Sequence, residues 1–456
     1  MRSRALFLSL LASSFAAVAV ACSSSSDSAD DTTAGDAGNG TDATTTGEAG
    51  PAADAGTSDA SHGDCTVSPC VLQVSVGNAH SCALIDDGTV RCWGGNAVGE
   101  LGRGTVSGST IVPASSPTPI AVPGLTHVVA ISASGGPSPN EYTLALLADG
   151  TVVGFGDDTA GELGDGVTSG ALRAPSPATH ALVSDVRSLS NGVFHQCAVV
   201  GDGGIWCWGA NEYGELGVPS TGDDDLRGTP APVGFSAGMA FTETSGGYEF
   251  ECAVTADHHV WCWGIGGFGE LGRAPTDGGA QDQTPAQVAG LEGVAHVAAG
   301  TGGACALETD GGVVCWGEDV KTATTSSTAP PFDPTPTALT LPSGVTFTQI
   351  VPTLVGFCGL DASGNVWCWG DNEHAQMGSG YVDGGALVPL HVTTPTQVPG
   401  VANVTQIAGN ALAGQVCARV RGGSVTCWGD DSSSQTGSAP NDSGATYRLV
   451  PAVVPF

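Results

Sequence analysis

The sequence predicts an all-β repeat protein, exported into an oxidising compartment. Three observations carry this: one hairpin recurs seven times, its cysteines recur with it at fixed spacing, and an apolar segment with an export layout precedes the first copy. The hairpin is clearest in Cys82-Ala83-Leu84-Ile85-Asp86-Asp87-Gly88-Thr89-Val90-Arg91-Cys92-Trp93-Gly94. It returns at Cys197 to Gly209, Cys252 to Gly264, Cys305 to Gly317, Cys358 to Gly370 and Cys417 to Gly429. A copy without cysteines spans Leu144 to Gly156, where Leu144 and Gly154 replace both together, as loss of a bonded pair would require. Self-similarity at a period of about 50 residues is the mark of a repeat architecture.

Within each copy the turn residues set the pairing. Asp86-Asp87-Gly88 suits a three-residue loop in which a type I turn is followed by a left-handed residue. Gly88, Gly150, Gly203, Gly311, Gly364 and Gly423 supply that residue without a β-carbon, and His258 is the exception. The turn centres on Asp87, so Cys82 and Cys92 lie directly across from each other, within disulfide reach. The expected bonds are Cys82–Cys92, Cys197–Cys207, Cys252–Cys262, Cys305–Cys315, Cys358–Cys368 and Cys417–Cys427. Zinc is the competing reading, but the spacing is not that of a CxxC knuckle and no partner knuckle is present, so no metal is expected.

The N-terminus reads as an address. Arg2 and Arg4 precede an apolar run from Ala5 to Val20, the layout of a signal peptide. The run ends Ala19-Val20-Ala21-Cys22 before Ser23-Ser24-Ser25-Ser26, which resembles the lipobox and tether of bacterial lipoproteins. That resemblance implies a signal peptide over residues 1–21 and an acylated Cys22, and Ser23 after it implies the outer membrane. Ala19-Val20-Ala21 also satisfies ordinary A-x-A cleavage, which would give a secreted, soluble protein. Cysteine arithmetic favours the lipid. Of fifteen cysteines, removing Cys22 leaves six repeat pairs plus Cys65 and Cys70, which are expected to form a local clip.

Residues 22–64 are Ser, Asp, Thr, Ala and Gly with almost no large apolar side chain. Such a segment cannot bury enough surface to offset ordering entropy and is expected to be a disordered tether. About 40 residues of coil reach roughly 35 Å, enough to hold a domain clear of a membrane. The repeats then run unbroken, and residues 65–456 are read as one domain. Acidic residues outnumber basic ones by 45 to 12, for a net charge of -33, so nucleic acid is not an expected partner. The membrane is expected to be reached through the lipid anchor alone, and the domain to be a monomer.

All nine tryptophans belong to the hairpin: Trp93, Trp208, Trp263, Trp316, Trp369 and Trp428 after the second cysteine, and Trp206, Trp261 and Trp367 before it. A sugar-stacking surface is one reading. Strand periodicity puts them opposite the cysteine at the same place in every unit, which favours packing between units. Glycine-framed loops follow the hairpins, carrying Glu100-Leu101, Glu162-Leu163, Glu215-Leu216 and Glu270-Leu271, then Gln376-Met377 and Gln435-Thr436. The fifth unit instead has Thr/Ser/Pro-rich sequence from Lys321 to Pro336.

An AL-x-x-DG-x-V-x-x-WG hairpin, a G-Q-L-G-like turn and a Pro-x-x-Val strand together look like the regulator of chromosome condensation (RCC) repeat. The strands in question are Pro119 to Val122, Pro232-Val233, Thr284 to Val288 and Thr394 to Val398. The resemblance covers Val71 to Phe456 and implies a seven-bladed β-propeller. The chain ends in the strand-like Leu449 to Phe456, so the ring is expected to close by the C-terminal strand joining the first blade. The family's nuclear member exchanges nucleotide on a small GTPase and binds chromatin. An exported acidic chain would meet neither, and that activity is not carried over.

The sequence holds no G-x-S-x-G elbow, H-E-x-x-H, P-loop or EF-hand loop. No catalytic residue and no cofactor is expected. His80 and His195 read as satisfied core histidines. Asp223-Asp224-Asp225 reads as a solvated turn before a weak calcium site, and the four loop glutamates as structural before an acidic binding arc. The expected function is an anchored module binding a protein partner, of unknown identity, through loops on one propeller face. Long inserts at Arg103 to Ser116, Asp165 to Ala181, Pro219 to Gly228 and Gly378 to Leu390 support this. A secreted β-lactamase inhibitor of this repeat fold makes inhibition of an extracellular enzyme a sub-case. An envelope polysaccharide lyase or hydrolase and a passive surface coat are the alternatives.

Overall fold

The computed structural model describes residues 65–456 apart from 108–109, 138–139, 168–176, 178, 191, 223–224, 276–280, 319–331, 381, 384–385, 388–390 and 438–445. The expected signal peptide, Cys22 and the tether lie outside the described residues, as do Asp223 and Asp224.

Each hairpin unit becomes a four-stranded antiparallel sheet, and seven such sheets form the blades of a propeller. Blade 1 comprises Val71–Val76, His80–Ile85, Val90–Gly95 and Ser115–Ala121, from the axis outward. The innermost strands of the other blades are Val128–Gly135, Val186–Leu189, Phe241–Gly246, Val294–Ala299, Phe347–Thr353 and Val404–Ala408. They are short and largely buried, because both of their faces are covered by neighbouring blades. The outermost strands are mostly half-buried or exposed and end each sheet. Six of them carry a proline, at Pro119, Pro230, Pro285, Pro336, Pro395 and Pro451. The register against the third strand slips there, as between the pairs Cys92↔Ile120 and Gly94↔Ser116. A residue with no N–H fits such a gap and blunts an edge that would otherwise template aggregation.

The hairpin turns have the conformation their residues demand. Gly88, Gly150, Gly203, Gly311, Gly364 and Gly423 have φ between +75° and +89°. His258 adopts +66° without glycine's freedom, and its Nδ1 hydrogen-bonds the Val294 carbonyl at 2.9 Å, which helps offset the strain. The register sets Cys82 opposite Cys92 and repeats in every cysteine-bearing blade. Six disulfides close within hairpins with Cα separations of 4.1–4.2 Å, and a seventh joins Cys65 to Cys70.

Packing between blades is equally regular. Each hairpin disulfide shares a core with the indole of the following blade: Cys197–Cys207 with Trp263, Cys252–Cys262 with Trp316, Cys305–Cys315 with Trp369. Cys358–Cys368 packs with Trp428, Cys417–Cys427 with Trp93, and Cys82–Cys92 with Phe155. Disulfide and indole project from opposite sheet faces, so five interfaces join one of each, while the two interfaces of blade 2 join Cys82–Cys92 to Phe155 and Leu144 to Trp208. The six indoles after the second cysteine are fully buried, whereas Trp206, Trp261 and Trp367 are half-buried.

Ring closure departs from the expectation. The C-terminal strand Tyr447–Val453 pairs with Ser424–Asp430 and is the outer strand of blade 7, not a member of blade 1. Blade 1 already owns an outer strand, Ser115–Ala121, delivered after a long excursion from its third strand. Each Pro-x-x-Val strand therefore completes the blade before it, which shifts the unit boundaries by one strand. The seam closes through hydrogen bonds and packing. Val71 donates to the Gly423 carbonyl at 3.0 Å, and the other six interfaces repeat this bond from the first residue of each inner strand to the preceding turn at 2.9–3.1 Å. Phe456 packs edge-on against Trp93, with ring centroids 5.6 Å apart.

Candidate interaction face

The antiparallel topology gives the ring two unlike faces. Asp-Gly turns and the links from blade to blade lie on one, the turn face. Turns between first and second strands, and connections from third to outer strands, lie on the other, the loop face. All four long inserts are third-to-outer connections and therefore rise from the loop face. In the first, Thr105–Ser107 pairs with Thr110–Val112; in the fourth, Val382–Asp383 pairs with Ala386–Leu387. In the third, Asp225 accepts two hydrogen bonds from Arg227, at 2.9 and 2.7 Å, and one from Asn211 at 2.9 Å. Asp225 is thus a loop fastener. An open groove of about 290 Å³ beside the fourth insert is lined by Met377, Ser379, His391, Val392, Thr393, Thr394 and Thr396.

The glycine-framed loops support these inserts. Glu100, Glu162, Glu215 and Glu270 are buried, and each carboxylate accepts the amide two residues earlier, from Val98, Ala160, Tyr213 and Phe268 at 2.7–2.9 Å. They form no acidic arc on the surface. Their main-chain carbonyls face the next blade: Trp208, Trp263 and Trp316 donate Nε1–H to Glu162, Glu215 and Glu270, at 2.7–2.8 Å. Gln376 and Gln435 accept Trp428 and Trp93 in the same way, both at 2.9 Å. Phe155 has no N–H, and the Thr143 hydroxyl takes over, donating to the Glu100 carbonyl at 3.0 Å. Trp369 Nε1 has no hydrogen-bond partner among the described residues.

His80 sits in this layer, fully buried, with Nδ1 2.6 Å from Glu141 and Nε2 2.9 Å from Thr143. The single Thr143 hydroxyl proton goes to Glu100, so His80 Nε2 is a donor there. Burial lowers the imidazole to about 4 against attraction from Glu100, and burial raises Glu141 well above the usual range. The pair is therefore held without net charge. His195 hydrogen-bonds Glu251 at 2.9 Å, and both side chains are fully buried. Both histidines are wedged between blades, where they hold the ring together.

The axis is plugged on the loop face. The turn between the first and second strands of blade 7 runs six residues, 409–414, against three in blade 1, 77–79. Ala411 and Leu412 pack with Val193, Tyr248 and Leu354, from three other blades. Thr301 of blade 5 donates to the Ala411 carbonyl, and Asn410 donates to Ser134 of blade 2 at 3.2 Å. The sequence reading did not identify this plug, because the spacing between strand and hairpin in blade 7 is matched by similarly long turns at 136–140 and 190–194. Among the described residues no group of three His, Cys, Asp or Glu side chains could hold a metal ion.

Two family descriptions of the regulator of chromosome condensation (RCC1) repeat match, one over residues 71–100 and the other over 202–254, 257–307 and 363–410. Human E3 ubiquitin-protein ligase HERC2 is 27% identical over 322 residues, 68% of this chain and 6% of HERC2. The Arabidopsis thaliana ultraviolet-B receptor UVR8 is 31% identical over 207 residues, 44% of this chain and 43% of the receptor. The chain thus spans less than two thirds of either relative. Among solved structures, Prp20p from Saccharomyces cerevisiae superimposes with a TM-score of 0.65 at 20% identity, covering 85% of this chain and 88% of Prp20p. The work describing it reports binding to Gsp1p and histones. Yeast RCC1 (Prp20) bound to Kap60 gives 0.66 at 19% identity, covering 91% and 90%. These likenesses show the fold: an all-β, seven-bladed propeller of the RCC1 type.

Proposed function

Because the chain carries RCC1 repeats in a seven-bladed ring, we propose that it is an exported, membrane-anchored protein-binding module whose partner docks on the loop face. The observation that carries this is one-sidedness: all four long inserts rise from the loop face, and the hairpins on the turn face have short turns. A rigid ring with divergent loops on one side suits recognition, since the loops vary while the blades hold them fixed. RCC1-type propellers bind proteins, as yeast Prp20 does with Gsp1p, histones and Kap60. The buried loop glutamates and histidines bond within the ring, which leaves the inserts as the contact surface.

The anchor is Cys22, acylated and followed by the 22–64 tether, and the outer membrane or cell surface is its location. Support comes from where the tether reaches the fold. Thr66 and Val67 both donate to the Gly422 carbonyl, at 3.0 and 3.3 Å, which puts the Cys65–Cys70 clip on the turn face. The described chain thus enters the ring at residue 65 on the turn face, opposite the face from which the inserts rise.

The test is affinity capture from cell-envelope extract and culture medium with the oxidised protein, beside a variant whose inserts 103–116 and 219–228 are cut to short glycine turns. A protein held by the intact ring and lost by the trimmed one supports the proposal. Equal capture by both, or none by either, overturns it, and glycan turnover by the intact ring would establish the enzyme instead.

A further inference from the structure

The loop glutamates occupy a glutamine's place. Gln376 takes the His374 amide on Oε1 at 2.8 Å and donates from Nε2 to the Leu354 carbonyl of the adjacent turn at 3.0 Å. Gln435 takes the Ser433 amide in the same way, at 2.7 Å. Glu162, Glu215 and Glu270 repeat the accepting half of this pattern but have no amide group with which to donate, and Glu100 accepts on both oxygens, from Val98 at 2.9 Å and Ala97 at 3.0 Å. At Glu162 the consequence is visible, because the side chain is fully buried and its Oε1 has no hydrogen-bond partner among the described residues. An ionised carboxylate there would bury a charge with one oxygen unpaired, which is costly. A protonated one presents an O–H that can play the part of the glutamine Nε2–H.

We propose that Glu100, Glu162 and Glu215 are carried in the folded ring as neutral carboxylic acids, so that the blade contacts of the loop face tighten in acid and loosen as pH rises.

The groups facing these carboxyls supply no fixed cation. Glu100 faces His80 and Glu141; Glu162 faces Asp157 and Asp158 of its own loop and the Tyr142 phenol; Glu215 faces Glu212 of its own loop and Glu249 of the neighbouring turn. Burial raises Glu100 to about 7, with His80 opposing and Glu141 adding to the shift. Burial raises Glu215 to about 8 and Glu162 well above the usual range. The folded ring therefore holds protons that the unfolded chain, with its ordinary glutamates, releases. Stability from these groups is complete below the unfolded value and is lost as pH rises towards the folded ones, about tenfold in the folding constant per pH unit for each group within its window. The change reaches the blade interfaces directly, since the next indole or Thr143 hydroxyl bonds to the carbonyl of each of these residues.

Urea unfolding of the full chain, followed from about pH 5 to pH 9, tests this against the threefold variant E100Q/E162Q/E215Q. The expected result is a folding constant that falls with pH in the natural chain and much less in the variant, which becomes the more stable of the two in alkali. Parallel profiles overturn the proposal. Should the threefold variant not fold, E162Q alone decides through the infrared carboxyl stretch. Loss of protonated-carboxyl intensity relative to the natural chain at neutral pH supports it, and loss of ionised-carboxylate intensity overturns it.

Discussion

Val71 donates its amide to the Gly423 carbonyl at 3.0 Å, across more than 350 residues of sequence, and thereby joins the first blade to the last. The same bond recurs at the six interfaces where the chain is continuous, so the seam differs from them only in lacking a covalent link. The Cys65–Cys70 clip takes the place of that link by fastening Thr66 and Val67 to Gly422.

Replacing both clip cysteines, Cys65→Ser with Cys70→Ser, is expected to lower stability by about 2 kcal/mol, the magnitude for a small closed loop. The readout is the urea midpoint under oxidising conditions. Limited proteolysis near Thr66 should accelerate in the variant, whereas the same exchange at Cys358 and Cys368 should leave that cleavage site protected.

Two indoles that look alike in sequence should differ in worth. Trp263→Phe removes a 2.7 Å bond to the Glu215 carbonyl, whereas Trp369→Phe removes no hydrogen bond made to a described residue. Trp369 is instead stacked between Phe347 and Phe357, at centroid distances of 5.9 and 6.0 Å. Thermal denaturation is expected to show Trp263→Phe as the costlier change by about 1 kcal/mol, the net worth of one buried hydrogen bond.

At the turn face, Gly311 has φ +87°, and a β-carbon there would stand 2.7 Å from Thr346 Cβ. Gly311→Ala should cost about 1–2 kcal/mol from the left-handed backbone alone. Gly344 has φ +80° but open space around it, so Gly344→Ala should cost less. Equal losses in denaturant titrations would show that crowding contributes nothing.

Asp361 predicts the opposite pH response to the loop glutamates. Burial pushes its carboxyl up, but hydrogen bonds from Asn365, Trp367 and Ser363 outweigh this and hold it below the usual value. Its contribution is present above the unfolded value and is lost as pH falls through the folded one. Asp361→Asn should destabilise at neutral pH, and the deficit should shrink in strong acid; a deficit constant with pH would exclude this.

Much of the molecule was legible in the sequence because each unit carries its own instructions. Asp87-Gly88 sets a turn, the turn sets a register, and the register places Cys82 across from Cys92, all within thirteen residues. Strand alternation was enough to put Trp93 on the face opposite the cysteines. Closure was misread because Pro119 to Val122 follows a long insert, and nothing local says whether such a strand joins the hairpin before it or the one after.

The sequence by itself determined the repeat, the hairpin, its disulfides and the burial of its tryptophans, since these depend on contacts close in the chain. Only the tertiary structure decided how the ends meet, that 409–414 plugs the axis, that Trp369 has no hydrogen-bond acceptor among the described residues, and that all four inserts share a face. Those features depend on residues brought together from different blades, where spacing along the chain carries no information about distance.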